Sequence, residues 1–283
     1  TKSPSNSLSA RAYYDRADSE FDGLFVWLPT VLNKDINIGE WWGAEAQATA
    51  TLWGKHRLAL GAEYRDEFRQ LWRNYYDVPN PAITDHPGST CNYGVFLQGD
   101  VAVLTNLHLN AGFRYDQYGN FDPTANPRTA LIYNPLPKST LKAIYGSAFR
   151  APNFLERFLQ SRAAPLVPET IRTYELVWEQ YIGRHLRSSV SGFYNEIEDL
   201  INVQNLLATN LKGAEARGAE TQLEARWDKT GLRAQASYTF QETEDRQSHQ
   251  WLTDSPKHLL KLNLSVPIVQ QKLFASGEFQ YTT

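Results

Sequence analysis

Along most of the chain, apolar and polar residues alternate one by one over segments of about ten residues. Leu232, Ala234, Ala236, Tyr238 and Phe240 fall on one side of such a segment, and Arg233, Gln235, Ser237, Thr239 and Gln241 on the other. Leu107, Leu109, Ala111, Phe113 and Tyr115 likewise oppose His108, Asn110, Arg114 and Asp116. Leu58, Leu60, Ala62, Tyr64 and Phe68 oppose Arg57, Glu63, Arg65, Glu67 and Arg69. Ala219, Thr221, Leu223, Ala225 and Trp227 oppose Glu220, Gln222, Glu224 and Arg226, and Leu260, Leu262, Leu264 and Val266 oppose Lys261, Asn263 and Ser265. A helix would spread each set over all its sides, whereas a strand sorts it onto two faces. The pattern predicts roughly thirteen strands. Short polar turns are expected at Gly54–His56, Thr105–Asn106, Asn134–Ser139, Gly183–His185, Asp228–Gly231 and Pro267–Gln271. Long loops are expected at Asp18–Gly39, Leu71–Cys91, Gly119–Pro127, Arg150–Thr170, Asp199–Gly213 and Glu242–Lys257.

Short connections on one side and long ones on the other predict an all-β fold, a transmembrane antiparallel β-barrel with periplasmic turns and extracellular loops. Hydrocarbon offers backbone groups no hydrogen-bond partner, so strands cross it only in a closed barrel. The apolar face then meets lipid, the polar face lines the lumen, and aromatic rings gather at the two interfaces. Trp41, Trp42, Trp53, Tyr115, Tyr118, Tyr133, Tyr174, Tyr181, Tyr194 and Trp227 lie near predicted strand ends in that way. A soluble β-sandwich also alternates, but its strands usually run about five or six residues. Bacterial single-chain barrels have an even strand number, so roughly thirteen strands would belong to something larger.

Composition changes this picture only in part. Hydrophobic residues make up 42% of the 283-residue chain, yet no apolar run could form a membrane-crossing helix. Hydropathy alone would read as soluble, but a membrane strand needs only every second residue apolar. Aromatics reach 13%. The net charge of −3 gives no basic face for nucleic acid. The single Cys excludes an intrachain disulfide. No signal peptide is visible, and the chain is read as mature or incomplete.

Several short stretches occur in a meaningful order. Ala143–Phe158 reads AIYGSAFRAPNFLERF; Pro168–Thr170 and Thr173–Leu176 read PET and TYEL. Phe193–Ile201 reads FYNEIEDLI, Lys212–Glu220 reads KGAEARGAE, and Ser255–His258 reads SPKH. Glu40–Gly43 and Asn110–Tyr115 precede them. Together these resemble the barrel of TonB-dependent receptors over nearly the whole chain. The resemblance implies that residues 1–283 are part of a 22-stranded barrel, with an N-terminal plug domain, a TonB-binding segment and the last strands outside this sequence. It implies import of a scarce nutrient chelate (siderophore-bound iron, cobalamin or similar). The implied partners are TonB with its inner-membrane energising complex, outer-membrane lipid and the small-molecule metal chelate, with no nucleic acid. The location implied is the bacterial outer membrane, crossed many times.

Candidate ligand contacts are aromatic and cationic residues at the extracellular side. Trp72, Arg73, Tyr75 and Tyr76, in the stretch ending at Asp77, offer stacking surfaces beside a cation, which suits a flat or anionic chelate. The same rings would equally serve as the interfacial belt at a strand end. Arg150, in the FRAPN stretch closed by the strand-breaking Pro152, is either an anchor for the following loop or a charge clamp. The resemblance places a loop His in haem receptors after this stretch; residues 150–170 contain none, so haem is disfavoured. Asp15, Asp18, Glu20 and Asp22 start a predicted long loop without the Gly-containing spacing of a calcium site, and read as a solvated acidic loop. One His and one Cys, His86 and Cys91, do not make a zinc site. Cys91 has a possible partner only in a cysteine outside this sequence.

The lumen face (Glu45, Arg57, Glu63, Arg65, Glu67, Arg69, Arg114, Lys142, Glu175, Glu179, Arg187, Glu220, Glu224 and Arg226) mixes both signs. That suits a lumen packed against a polar plug better than an ion-selective pore, although ordinary solvation of the wall gives the same pattern. No spacing suggests a nucleophile with its base, so catalytic residues, a cofactor and a metal site are not expected. The alternatives to an energised importer are a passive porin-like channel and an outer-membrane enzyme.

Overall fold

The computed structural model describes residues 6–25, 30–161, 164–204, 206–252, 255–270 and 272–283. Its elements are β1 (Asn6–Phe25), β2 (Val31–Leu52), β3 (His56–Tyr76), β4 (Thr84–Leu104), β5 (Leu107–Tyr118), β6 (Thr124–Leu136), β7 (Ser139–Arg150), α1 (Phe154–Leu159), β8 (Glu169–Ile182), β9 (Leu186–Glu198), β10 (Ile201–Gln204), β11 (Leu207–Asn210), β12 (Gly213–Trp227), β13 (Leu232–Asp245), β14 (His258–Val269) and β15 (Leu273–Thr282). All strands except β10 and β11 form one 13-stranded sheet in sequence order, every pairing antiparallel. β10 and β11 form a separate hairpin between β9 and β12. Among the described residues, no helix is long and apolar enough to cross a membrane.

The sheet is inverted relative to a water-soluble protein. Leu60, Leu97, Phe113, Leu176, Trp178, Leu223, Leu262 and Leu264 are exposed on one face. Among the described residues, the buried hydrophobic set is reduced to Leu166, Ala208 and Ala214, with Pro152 also buried. An apolar face this extensive is stable only against lipid. Register sets the aromatic rings in two rows along it. At the extracellular level Tyr14 faces Trp42, Tyr64 faces Tyr93, and Tyr145, Tyr174 and Tyr194 are consecutive partners. The Trp42 and Tyr64 ring centroids are 5.3 Å apart, those of Tyr145 and Tyr174 5.1 Å. Trp53, Tyr133 and Trp227 mark the opposite level, near the short turns, while Tyr181 shares the inner face with Glu179, opposite Arg187. Amphipathic rings at two heights define the interfaces between which the strands cross hydrocarbon.

Most short turns lie where the alternation places them. Pro267 is an exception: β14 continues to Val269, and a register shift between Pro267 and Val269 absorbs the missing amide donor. Gln271 lies outside the described residues.

The loop expectations need larger corrections. Asp18–Gly39 is mostly strand: β1 and β2 stay paired up to Phe25↔Val31. Leu71–Cys91 is likewise mostly strand, with β3 running to Tyr76 and β4 beginning at Thr84. β6 already starts at Thr124 and β13 reaches Asp245. Above the membrane both faces of the sheet are wet, so selection for alternation ends while the hydrogen-bond ladder continues. Asp15, Asp18, Glu20 and Asp22 are therefore on β1, not a loop, and Asp15 points to the face opposite the other three. Arg16 bonds Asp18 at 2.8 Å, and Lys34 approaches Glu20 at 3.1 Å and Asp22 at 3.7 Å.

Arg69 is a further correction. β3 carries one residue more than its neighbours here: Asp66–Arg69 faces Glu40–Trp42 of β2, and Glu67–Gln70 faces Gly88–Thr90 of β4. A bulge reverses every later position. Arg69 thus joins Arg16 around Glu40 on the outer face, at 2.6 and 3.6 Å, rather than lining the lumen.

Candidate extracellular vestibule

The chain between β7 and β8 leaves the barrel wall at Arg150 and folds back inward. Pro152 cannot donate to a ladder, and Asn153 starts α1. The Asn153 side chain accepts from the Glu156 amide at 2.9 Å, and the Glu156 carboxylate accepts from the Asn153 amide at 2.8 Å. This reciprocal cap nucleates a short helix that has little propensity of its own. Phe154 and Phe158 then lie on one side of it. Phe154 packs over Gly88 of β4, where even a Cβ would run into the ring. Phe158 sets its ring edge-on to Trp72 at 5.1 Å and tilted against His86 at 3.8 Å. Arg157, between them, hydrogen-bonds Thr90.

The wall beneath this helix is polar and ordered. Trp72 stacks on His86 at 5.0 Å, and its indole N–H donates to Asp35 at 2.9 Å. Asn74 donates to Asp35 at 2.7 Å and to Asn33 at 3.0 Å. Glu67 is buried, 6% exposed, with Arg65 at 3.1 Å and Gln70 donating to it. Arg65 in turn lies 4.6 Å above the Trp41 ring.

Arg150 holds the other end of the loop. It donates to Glu169 at 2.6 Å and to Glu156 at 2.9 Å. Glu169 also accepts the Ile201 amide at 2.5 Å, which ties hairpin β10–β11 to the same anchor. Asn210 donates to the carbonyls of Val167 and Asp199 at 3.0 and 2.6 Å. Buried Pro152, Leu166 and Ala208 give the loop and hairpin a small core of their own. This unit stands above the aromatic row at Tyr145–Tyr174. Two hydrogen-bonded carboxylates hold the Arg150 guanidinium well above its ordinary pKa. Burial pushes the Glu169 carboxyl up, but Arg150 and the Ile201 amide outweigh it and leave it below the usual carboxylate range.

Below the vestibule the lumen face carries charges of both signs in connected chains. Lys142, Glu179, Arg187 and Glu224 link β7, β8, β9 and β12 at 2.8, 2.7 and 3.0 Å. Arg114 joins Asp116 at 2.7 Å and also Glu63, and Arg11 meets Glu45 at 2.7 Å.

The expected ligand residues divide between two faces. The stretch 72–76 is strand, not loop, so consecutive side chains alternate. Register puts Trp72 and Tyr76 on the inner face with Asn33 and His86, and Arg73 and Tyr75 on the outer face. Arg73 forms a two-pronged pair with Asp85 at 2.6 and 2.7 Å, and the hydrogen bond from Arg73 holds the Asp85 carboxyl below its usual range. Trp72 is thus brought together with His86 and Phe158, while Arg73, Tyr75 and Arg150 are not part of that cluster. Sequence reasoning missed Asp35, His86 and Phe158 as members of this cluster, whereas Asn74 lies within the expected stretch from Trp72 to Asp77. The cap spacing Asn153–Glu156 and the interval from Phe154 to Phe158 are the signals that could have placed α1. Among the described residues, no group of three or more His, Cys, Asp or Glu side chains could hold a metal ion. Cys91 is exposed and outside any disulfide here.

A curated relative is the vitamin B12 transporter BtuB of Vibrio cholerae serotype O1, 31% identical over 116 residues, which is 38% of this chain and 19% of that protein. Among solved structures, the copper transporter OprC superposes with a TM-score of 0.78 at 17% identity, covering 97% of this chain and 48% of that one. The ferripyoverdine receptor of the outer membrane of Pseudomonas aeruginosa, bound to ferripyoverdine, gives 0.75 at 16% identity over 97% and 44% of the two chains. The siderophore receptor PiuA from Acinetobacter baumannii gives 0.74 at 14% identity over 99% and 52%. At these identities the superpositions establish the fold, and the chain spans about half the length of the solved structures it matches. The family described as TonB dependent receptor-like, beta-barrel, matches residues 2–281. With its antiparallel sheet, lipid-facing aromatic rows and charged inner wall, the chain belongs to the TonB-dependent receptor β-barrel family.

Proposed function

We propose that this chain is part of the barrel wall of an energised importer. It takes up a scarce nutrient chelate (siderophore-bound iron, cobalamin or a related metal complex) through the outer membrane, where barrels of this family reside. Residues 1–283 supply part of a 22-stranded barrel whose plug, TonB-binding segment and remaining strands belong to the rest of the protein. TonB and its inner-membrane energising complex drive release into the periplasm. Chemistry at a catalytic group has no role in this reading, and the relatives found are transporters and receptors.

The observation that carries the proposal is the covered vestibule. α1 places Phe158 against Trp72 and His86 above a lumen lined with paired charges of both signs. Stacking faces beside Asp35 and Asn74 suit a chelate with flat or polar edges. The mixed-sign wall suits a polar plug surface, since paired groups on two surfaces exchange partners without leaving a charge bare.

The test is growth on single siderophore-iron, copper or cobalamin sources with the full-length gene. Because 72–76 is strand, deleting it would break the sheet, so point changes are needed. Trp72→Ala with normal barrel assembly should abolish or strongly weaken uptake of one source. Unchanged uptake removes Trp72 from the site. Uptake that persists without TonB rejects the importer and promotes a passive porin-like channel.

A further inference from the structure

Above the extracellular aromatic row, charge is sorted between the two faces of the sheet. Arg16, Lys34, Arg69 and Arg73, on the upper parts of β1, β2 and β3, all point outward. Each meets a carboxylate there: Asp18 at 2.8 Å, Glu20 at 3.1 Å, Glu40 at 2.6 Å and Asp85 at 2.6 Å. The inward positions of β2 and β3 are instead Asn33, Asp35, Asn37, Trp72 and Asn74, beside His86 of β4. One Asp35 oxygen accepts both the Trp72 indole N–H and the Asn74 amide, at 2.9 and 2.7 Å. Among the described residues, no cation pairs with Asp35. Asp15 faces the same way, in register with Trp41, and likewise lacks a cationic partner among them.

The cations that do reach the vestibule are matched by carboxylates. Arg65 lies over the Trp41 ring and has Glu67 at 3.1 Å. Arg157 hydrogen-bonds Thr90 and shares Glu67 with Arg65. Arg150 is held by Glu156 and Glu169. Asp245, inward on β13, accepts the amides of Gln247 and Ser248 at 2.9 and 2.7 Å. The extracellular loops add Asp77, Asp122 and Asp199 against Lys212. Deeper in the lumen Arg114 serves both Asp116 and Glu63, and Arg128, one row lower, donates to Gln98. The described lining of the mouth is therefore negative.

We infer that the vestibule captures a neutral or cationic chelate, one that turns amide or ammonium N–H groups toward Asp35, and that it rejects polyanionic complexes. This rests on the import reading and names the charge class of the cargo. A recess lined by one sign of charge concentrates the opposite sign and repels its own. The free Asp35 oxygen is an acceptor only, so an anion pressed against it would leave two like charges desolvated together. Arg73 and Arg150, the cations nearest the aromatic cluster in sequence, give an anion no foothold, because one points outward and the other is saturated.

Two measurements on the full-length receptor test this. In the first, a fluorophore is attached at exposed Asn37→Cys in a Cys91→Ser background. It is quenched at low ionic strength by thallium(I), iodide and neutral acrylamide. Relative to the free dye, the ratio of thallium(I) to iodide quenching should rise about twofold, as expected for a few screened charges nearby. Asp15→Asn with Asp35→Asn should return the ratio most of the way to that of the free dye. Asn at position 35 still accepts from Trp72 and Asn74, so barrel assembly, read by heat-dependent gel mobility, should not change. A ratio equal to the free dye's, or one that favours iodide, overturns the inference. The second measurement is growth on cationic ferrioxamine B, neutral ferrichrome, cyanocobalamin or trianionic ferric enterobactin. Uptake should be confined to the cationic and neutral sources, and uptake of ferric enterobactin overturns the inference. If none of the four is taken up, the quenching ratio decides alone. Uptake that persists without TonB counts against the import reading and leaves the quenching result standing.

Discussion

The His86 imidazole and the Phe158 ring stand 3.8 Å apart, centroid to centroid, at a tilt of 41°. One belongs to β4 in the barrel wall and the other to α1 in the loop after β7, so the contact fastens the loop across the mouth. Phe158→Ala should free the α1 end of the loop at a cost of about 1 kcal/mol beyond the lost area. Limited proteolysis should then cut faster between Leu159 and Leu166, with the β-sheet circular dichroism signal intact. Unchanged cleavage would mean that the Gly88–Phe154 contact alone holds α1.

The anchor at Arg150 should respond to acid. A carboxyl whose pKa falls on folding stabilises the folded arrangement above its unfolded value. That contribution is lost as pH drops through the folded value. Glu169 is such a group. The loop and hairpin β10–β11 should therefore be protected at neutral pH and released as pH falls below the ordinary Glu value of about 4.3. Hydrogen exchange at the Ile201 amide reports it. Arg150→Ala should give fast exchange already at neutral pH, because Glu156 and Glu169 lose their shared partner.

The two faces of β14 should tolerate charge very differently. Leu262 is on the lipid side and 42% exposed in the isolated chain. Leu262→Arg should cost about 2–4 kcal/mol in barrel stability near the bilayer midplane, while Lys261→Glu on the lumen side should cost far less. Urea unfolding of the full-length barrel in lipid vesicles measures both. Equal costs would refute the assignment of faces.

Gly213 has φ +112, and a Cβ there would overlap the Ile197 carbonyl. Gly213→Ala should therefore cost about 1–3 kcal/mol, the range for a residue forced into such a backbone conformation. Gly146 has open space at its Cβ position, and Gly146→Ala should be close to neutral. The same unfolding assay separates the two.

Within the membrane the sequence was transparent. Water on one side and lipid on the other force Arg233 to oppose Leu232 and Lys261 to oppose Leu262, so strand, face and register can be read from single residues. Above the membrane that signal vanishes, because Glu20, Asp22 and Lys34 are wet whichever way they point. Strand therefore reads as loop there, and alternation puts Arg69 on the wrong face because a bulge leaves no mark in composition. The vestibule was legible only in fragments. Trp72 stood out as a ring, but its partners His86 and Phe158 lie on two distant segments, and nothing in either segment specifies the fold-back. Arg150 stood out by motif, yet its saturation by Glu156 and Glu169 depends on the turn at Pro152.

The length of the first strands makes the rim lopsided. β2 has 22 residues, about 75 Å of extended chain at the usual rise. β5 and β7 have 12 each, about 41 Å. An apolar band about 25 Å tall, crossed by strands tilted near 40°, uses up most of the shorter pair and less than half of the longer one. Among the described strands, one flank of the mouth is thus a tall palisade, and the other a low sill bearing the folded loop. The loop rises from the sill and carries α1 back to the palisade, where Phe154 and Phe158 meet Gly88 and His86 of β4 and Trp72 of β3.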